Sequence, residues 1–176
     1  MTINWPLLIA TICPNIGLVN IYFIRKNMSW YKTLKKPKFM PPHWIFTPVW
    51  ITLYCTMGYS SYLVWRDEGG FQEELPWAGP LRVYDINLIL NWLWTPIFFG
   101  TQNIKWAFYE SVALSVSTLI LGIVFYTVNP VAGYLIIPYF IWISLLLLFN
   151  YVIYRDNKQL PTIENTEEKK KLMNEH

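Results

Sequence analysis

The chain has 176 residues, of which 54% are hydrophobic, 18% aromatic and only 14% charged. Soluble domains carry about 25% charged residues, so the ionic groups needed to coat a water-soluble fold are missing, and the apolar content excludes disorder over most of the length. Two cysteines exclude a disulfide-stapled framework.

Charge is distributed in blocks. Residues 1–24 carry none, and the segment has neither a basic n-region nor an Arg-rich amphipathic pattern, so it reads as a retained span. Arg25, Lys26, Lys32, Lys35, Lys36 and Lys38 follow without an anion. Residues 39–65 are again free of charge, residues 66–85 hold two cations and five anions, and residues 86–104 are clean. Lys105 and Glu110 interrupt before 44 uncharged residues, 111–154. A bilayer core about 30 Å thick needs about 20 apolar residues as helix.

The pattern predicts an all-α membrane protein, a five-transmembrane-helix bundle over residues 1–157. Its spans are expected near 5–24, 44–65, 81–100, 104–128 and 131–154, with Asn129-Pro130 marking the last turn. Residues 158–176 are expected to form a polar cytosolic tail. A water-soluble protein of this size cannot bury five uniformly apolar helices. The strict alternation of barrel strands is absent.

Five spans sort the cations. The 25–38 loop, the turn at Lys105 and the tail hold twelve of the 14 Lys and Arg residues, and the opposite side holds Arg66 and Arg82. The positive-inside rule then puts the C-terminus in the cytosol.

Pro14, Pro48, Pro96 and Pro138 fall inside spans. Each removes an amide donor and frees the carbonyl four residues earlier, at Ala10, Trp44, Trp92 and Tyr134. Such kinks read either as ordinary irregularity of membrane helices or as helices that bow apart and leave a cavity between them. Trp5, Trp30, Trp44, Trp65 and Trp77 fall at span ends or in loops, as an interfacial belt requires. Trp50, Trp92, Trp94, Trp106 and Trp142 fall inside spans, where large rings either fill the core or line a cavity for a flat ligand. Asn87 and Asn91, four apart on one helix face, suit interhelical hydrogen bonds. Glu110 reads either as a ligand contact or as a carboxylate near the headgroups beside Lys105. No catalytic constellation, metal cluster or phosphate loop is present, and Cys13 and Cys55 lack ligand spacing. Leu148, Tyr151 and Arg155 fit the proposed cholesterol pattern, which many helix ends also match.

Specific Trp/Pro motifs go further. They comprise Trp30-Tyr31, Lys36-Pro37, Pro41-Pro42, Trp44, Pro48-Val49-Trp50, Leu53-Tyr54, the run from Met57 through Tyr62, Val64-Trp65-Arg66 and Gly69-Gly70-Phe71. The run from Asn91 through Gly100 continues them, followed by Pro138-Tyr139, Trp142, Asn150-Tyr151 and Arg155-Asp156-Asn157. Together they resemble the translocator protein family, also called peripheral-type benzodiazepine receptors or tryptophan-rich sensory proteins.

The resemblance implies a five-helix membrane bundle that binds cholesterol, porphyrins such as protoporphyrin IX and other heme-related tetrapyrroles, and benzodiazepine-type ligands. No obligatory cofactor and no nucleic-acid partner are expected. The implied pocket lies near the end bearing the first cationic loop. It is lined by Ile21, Ile24, Trp50, Asn91, Trp94, Trp106, Tyr109, Trp142, Leu146 and Phe149. Several relatives have alanine where this chain has Ile21, Tyr109 and Leu146, so the cavity should be narrower here. Trp50 and Trp142 match tryptophans linked in bacterial relatives to porphyrin breakdown. The cholesterol motif carries over as Leu148, Tyr151 and Arg155. Homodimers are among the family's assemblies, although the glycine-rich packing that supports them in some relatives is missing from the third span.

The leading expectation is a sterol- and tetrapyrrole-binding membrane protein that aids their transport. The alternatives are a porphyrin-degrading enzyme acting through Trp50 and Trp142, and a membrane scaffold of a transport complex. The animal-like stretch 57–71 suggests the mitochondrial outer membrane, with a bacterial plasma membrane as the alternative.

Overall fold

A computed structural model describes residues 4–38, 40–68 and 79–157, without the side chains of residues 16–19, Ile21 and His43. The polar tail expected at 158–176, residues 69–71 of the family pattern and Trp77 of the belt lie outside the described residues.

Every regular element among the described residues is helical. The first apolar stretch is broken into pieces. Helix α1 (Trp5–Ile12) starts at Asn4, whose side chain accepts from the Leu7 amide, with Pro6 in the first turn. Pro14 lacks the amide that would continue the ladder, and the chain tightens into a 3₁₀ segment, Cys13–Asn20. Helix α2 (Ile21–Lys26) resumes, and α3 (Met28–Thr33) carries the cationic loop.

Helix α4 (His43–Asp67) contains Pro48, and α5 (Pro80–Thr95) opens on a proline that needs no amide partner. Pro96 ends the α-helical ladder, and a π-helical turn follows at Pro96–Gly100. Helices α6 (Ile104–Val128) and α7 (Pro130–Asp156) are capped by Asn103 and Asn129, whose side chains accept from the Trp106 and Ala132 amides.

Neighbouring elements close a ring: α1 packs on α4, α4 on α7, α7 on α6, α6 on α5, and α5 returns to the 3₁₀ segment. Glycine permits two of the close approaches. A Cβ on Gly58 would lie 2.1 Å from the Ala10 carbonyl oxygen, and one on Gly133 would lie 2.7 Å from the Tyr126 Cα. The carbonyl freed by Pro96 has a partner. Asn20 Nδ2 donates to the Trp92 oxygen at 3.0 Å, while the Trp92 indole donates to the Pro14 oxygen at 3.2 Å. Two kinked segments thereby hold each other.

Two helices, Ile104–Val128 and Pro130–Asp156, are long and apolar enough to cross a membrane. Against the expectation of five spans, the rest differ for local reasons. The N-terminal stretch is split at Pro14, α5 is 16 residues long, and α4 carries Thr52, Tyr54, Thr56, Tyr59, Ser60, Ser61 and Tyr62. The outward faces are nevertheless apolar: Ile86, Ile89, Leu93, Val116, Leu119, Ile123, Ile137 and Ile141 are all exposed. Such continuous apolar surface suits lipid rather than water.

An interior aromatic cavity and its polar wall

The ring of helices surrounds a partly open cavity of about 310 Å³, within the usual range for small-molecule sites. Its wall draws on α2 to α7 and the π-helical turn. Ile24 and Arg25 come from α2, Met28 and Tyr31 from α3, Trp50 and Tyr54 from α4, and Asn91 and Trp94 from α5. The π-helical turn adds Phe98 and Phe99, α6 adds Ser111 and Leu114, and α7 adds Leu146, Phe149 and Asn150.

Aromatic rings dominate. Trp94 stacks on Phe98 with centroids 5.0 Å apart and planes 15° apart, and Phe99 meets Phe98 edge-on at 4.9 Å. Trp50 tilts against Tyr54 at 5.2 Å. These faces suit a flat conjugated ligand. The Trp94 indole N–H is buried without a partner among the described residues.

Polar groups concentrate on one wall. Tyr54 donates to Asn91 Oδ1 at 2.6 Å, and Asn91 Nδ2 donates to the Tyr139 hydroxyl at 2.9 Å. Tyr139 in turn donates to Asn87 Oδ1 at 3.2 Å, and Asn87 Nδ2 donates to Thr118 Oγ1 at 2.9 Å. The chain joins α4, α5, α6 and α7 through buried groups. Asn91 therefore has both amide atoms engaged by protein, and the second lone pair and second N–H are what remain for a ligand.

The cationic loop forms the end of the cavity. Arg25 is the one Lys or Arg on its wall among the described residues. Tyr31 lies buried there, its hydroxyl 3.2 Å from Met40 Sδ and its ring beneath Lys36 Nζ at 4.1 Å. Burial pushes the Tyr31 phenol up to about 12, so the hydroxyl stays neutral and able to donate.

The residues named from sequence fall into five groups. Ile24, Trp50, Asn91, Trp94, Leu146 and Phe149 share the cavity wall. Trp142 is half-buried behind Phe46, which meets it edge-on at 5.5 Å, and its indole N–H is also without a partner among the described residues. Trp106 and Tyr109 are exposed on the outside of α6, where they line a separate cavity with Glu110. Ile21 opens α2, and its side chain is outside the described residues. Leu148, Tyr151 and Arg155 run along the outer face of α7, with Tyr151 tilted against Phe108 at 5.9 Å and Arg155 paired with Asp156 at 2.7 Å. Tyr54, Phe98 and Phe99 line the wall without having been singled out. Tyr54 and the two phenylalanines stood within the recurring motifs, but nothing in their spacing marked them as facing inward.

Comparison with known proteins agrees over the same span. The model of the TspO/MBR family matches residues 8–155. The chain is 41% identical to the translocator protein of Homo sapiens over 149 residues, covering 84% of this chain and 87% of that one. It is 39% identical to the translocator protein of Sus scrofa over 150 residues, covering 84% and 88%. Similarity extends to the tryptophan-rich protein TspO of Archaeoglobus fulgidus, at 34% identity over 140 residues, covering 79% and 88%. Matched across nearly all of its helical core, the chain belongs to the TspO/MBR family.

Proposed function

We propose that this is a five-span membrane protein that binds tetrapyrroles in the interior cavity and sterols at its surface, and aids their transport. The observation that carries the reading is the interior cavity walled by Trp50, Trp94, Phe98 and Phe99. Protoporphyrin IX would stack on these rings, with Asn91 offering its remaining N–H or lone pair and Arg25 facing a carboxylate. Benzodiazepine-type ligands would compete for the same space, narrowed by Leu146. Cholesterol would lie along α7 against Leu148 and Tyr151, its hydroxyl near Arg155. The twelve-to-two sorting of cations supports a cytosolic C-terminus. The mitochondrial outer membrane is the favoured home, ahead of a bacterial plasma membrane.

Porphyrin breakdown through Trp50 and Trp142 is the second reading. Trp50 lines the cavity and Trp142 stands behind Phe46, so the first of the pair would have to make the contact.

Titration of protoporphyrin IX into reconstituted protein, followed by tryptophan quenching, tests the site. Trp50→Ala should weaken binding about tenfold, as loss of an aromatic stacking partner predicts. Leu146→Trp, which fills the cavity, should abolish it. Unchanged affinity in both variants would remove the interior site from consideration. Illumination of the complex without a new absorbing product would remove the degrading reaction.

A further inference from the structure

A second cavity, of about 530 Å³, lies on the outside of the bundle between the π-helical turn and α6. Ile97, Thr101, Asn103, Trp106, Tyr109 and Glu110 line it, and none of them lines the interior cavity. Glu110 is unusual within it. Both carboxylate oxygens are buried, and neither has a hydrogen-bond partner among the described residues. Lys105 is exposed and makes no ion pair with it. A buried polar group left unpaired is costly, and a charged one more so.

The geometry points to a site for an amphiphilic primary ammonium, with the buried Glu110 carboxylate turning toward the opening to meet the ammonium and the alkyl body against Ile97 and the bilayer. An N–H-bearing cation is the ligand chemistry that matches every feature. It supplies three donors and compensates a carboxylate, whereas a hydroxyl supplies one donor and leaves the charge. Trp106 and Tyr109 meet edge-to-face with centroids 6.2 Å apart, and such rings attract cations as well as apolar chains. Asn103 Oδ1 caps the Trp106 amide at 3.2 Å and Thr101 Oγ1 donates to the Ile97 carbonyl at 2.7 Å, whereas Glu110 is the acceptor on this wall with no hydrogen-bond partner among the described residues. The exposed Trp106 and Tyr109 place the opening on the outer surface, where an amphiphile arrives by lateral diffusion in the membrane. The ammonium could be carried by an ethanolamine phospholipid or by a free lipophilic amine.

Carbon-13 labelling of the glutamate carboxyls gives a direct readout in phosphatidylcholine nanodiscs, with the Glu110 resonance assigned by its loss in Glu110→Gln. Dodecylamine should move that resonance saturably, with affinity about tenfold or more above that of dodecanol. Equal affinities, or no movement with dodecylamine, would overturn the site. Discs containing phosphatidylethanolamine separate the sources. If the headgroup is the ligand, the resonance starts displaced and dodecylamine no longer titrates. If the resonance is unmoved by that lipid and still responds to dodecylamine, the ligand is a free amine. In Glu110→Gln the preference of dodecylamine over dodecanol, read by competition with a fluorescent alkylamine, should vanish. Protoporphyrin quenching in the same variant should persist and reports its fold. The comparison of the two probes on the unsubstituted protein stands whether or not the variant folds, and whether or not the interior cavity binds porphyrin.

Discussion

Asn157 grips the backbone of Lys35 from both sides. Its Oδ1 accepts from the Lys35 amide at 2.9 Å, and its Nδ2 donates to the Lys35 carbonyl at 2.9 Å. The same Nδ2 also reaches the Ile153 carbonyl at 2.8 Å. One side chain at the end of α7 thus pins the cationic loop that closes the cavity. Asn157→Ala removes two contacts between segments, each worth about 1 kcal/mol net. The expected result is a lower unfolding temperature in detergent and faster tryptic cleavage between Lys32 and Lys38. Unaltered cleavage would mean the loop is held by other contacts.

The interlock of α1 with α4 depends on the bare backbone at Gly58. An added methyl would meet the Ala10 oxygen at 2.1 Å and the Thr11 Cα at 2.7 Å. Both are backbone atoms, so whole helices must move. Gly58→Ala should destabilise by about 1–3 kcal/mol, the range for overpacking. Gly122→Ala is the control, because its nearest neighbour, Ile136 Cγ2, stands at 3.6 Å. Equal melting temperatures for the two variants would contradict the packing.

Tyr139 is the hinge of the buried polar chain, accepting from Asn91 and donating to Asn87. Tyr139→Phe strands an amide N–H on Asn91 and a carbonyl on Asn87. A loss of about 1–3 kcal/mol is expected, the penalty for unsatisfied buried groups. Removing Asn91 and Tyr139 together should cost less than the sum of the single changes, since the partners disappear with each other. A double-mutant cycle by chemical denaturation measures this coupling.

At the far end of α4, Asp67 accepts from Arg66 Nε at 2.7 Å and also from Asn129 Nδ2. The Arg66 hydrogen bond first, and the Asn129 bond second, hold its carboxyl below the ordinary value. A depressed folded-state value contributes stability above the unfolded value of about 3.9, which is lost as pH falls through the lower folded value. An acid titration of unfolding should show a small loss in that window, absent in Asp67→Asn. The pair lies at the solvent-facing end of α4, so salt should diminish the effect.

Much of this architecture is legible in the chain itself, because charge is sparse and prolines are informative. The Asn129-Pro130 turn and the apolar runs on either side lead directly to α6 and α7. Pro96 foretells a freed carbonyl at Trp92, and Asn20 supplies its donor. The cavity wall is read less completely. Regular helical spacing assigns faces at 3.6 residues per turn, but the π-helical turn at Pro96–Gly100 changes that register. Phe98 and Phe99 consequently turn inward together. Trp106 and Tyr109 stand outside, next to a Glu110 that has no hydrogen-bond partner among the described residues because the neighbouring helices offer none. Absence of a partner is a property of the folded surroundings and leaves no trace in local sequence.

A single residue, Asn129, separates α6 from α7, and it bonds both to the end of one helix and to the start of the next. Contacts across this joint involve residues close in sequence, so little chain entropy is lost in making them. During synthesis the pair would therefore enter the bilayer as a preassembled hairpin. The earlier helical segments, whose partners are far apart in the chain, would settle around it, and the cavity would be the last part of the molecule to take shape.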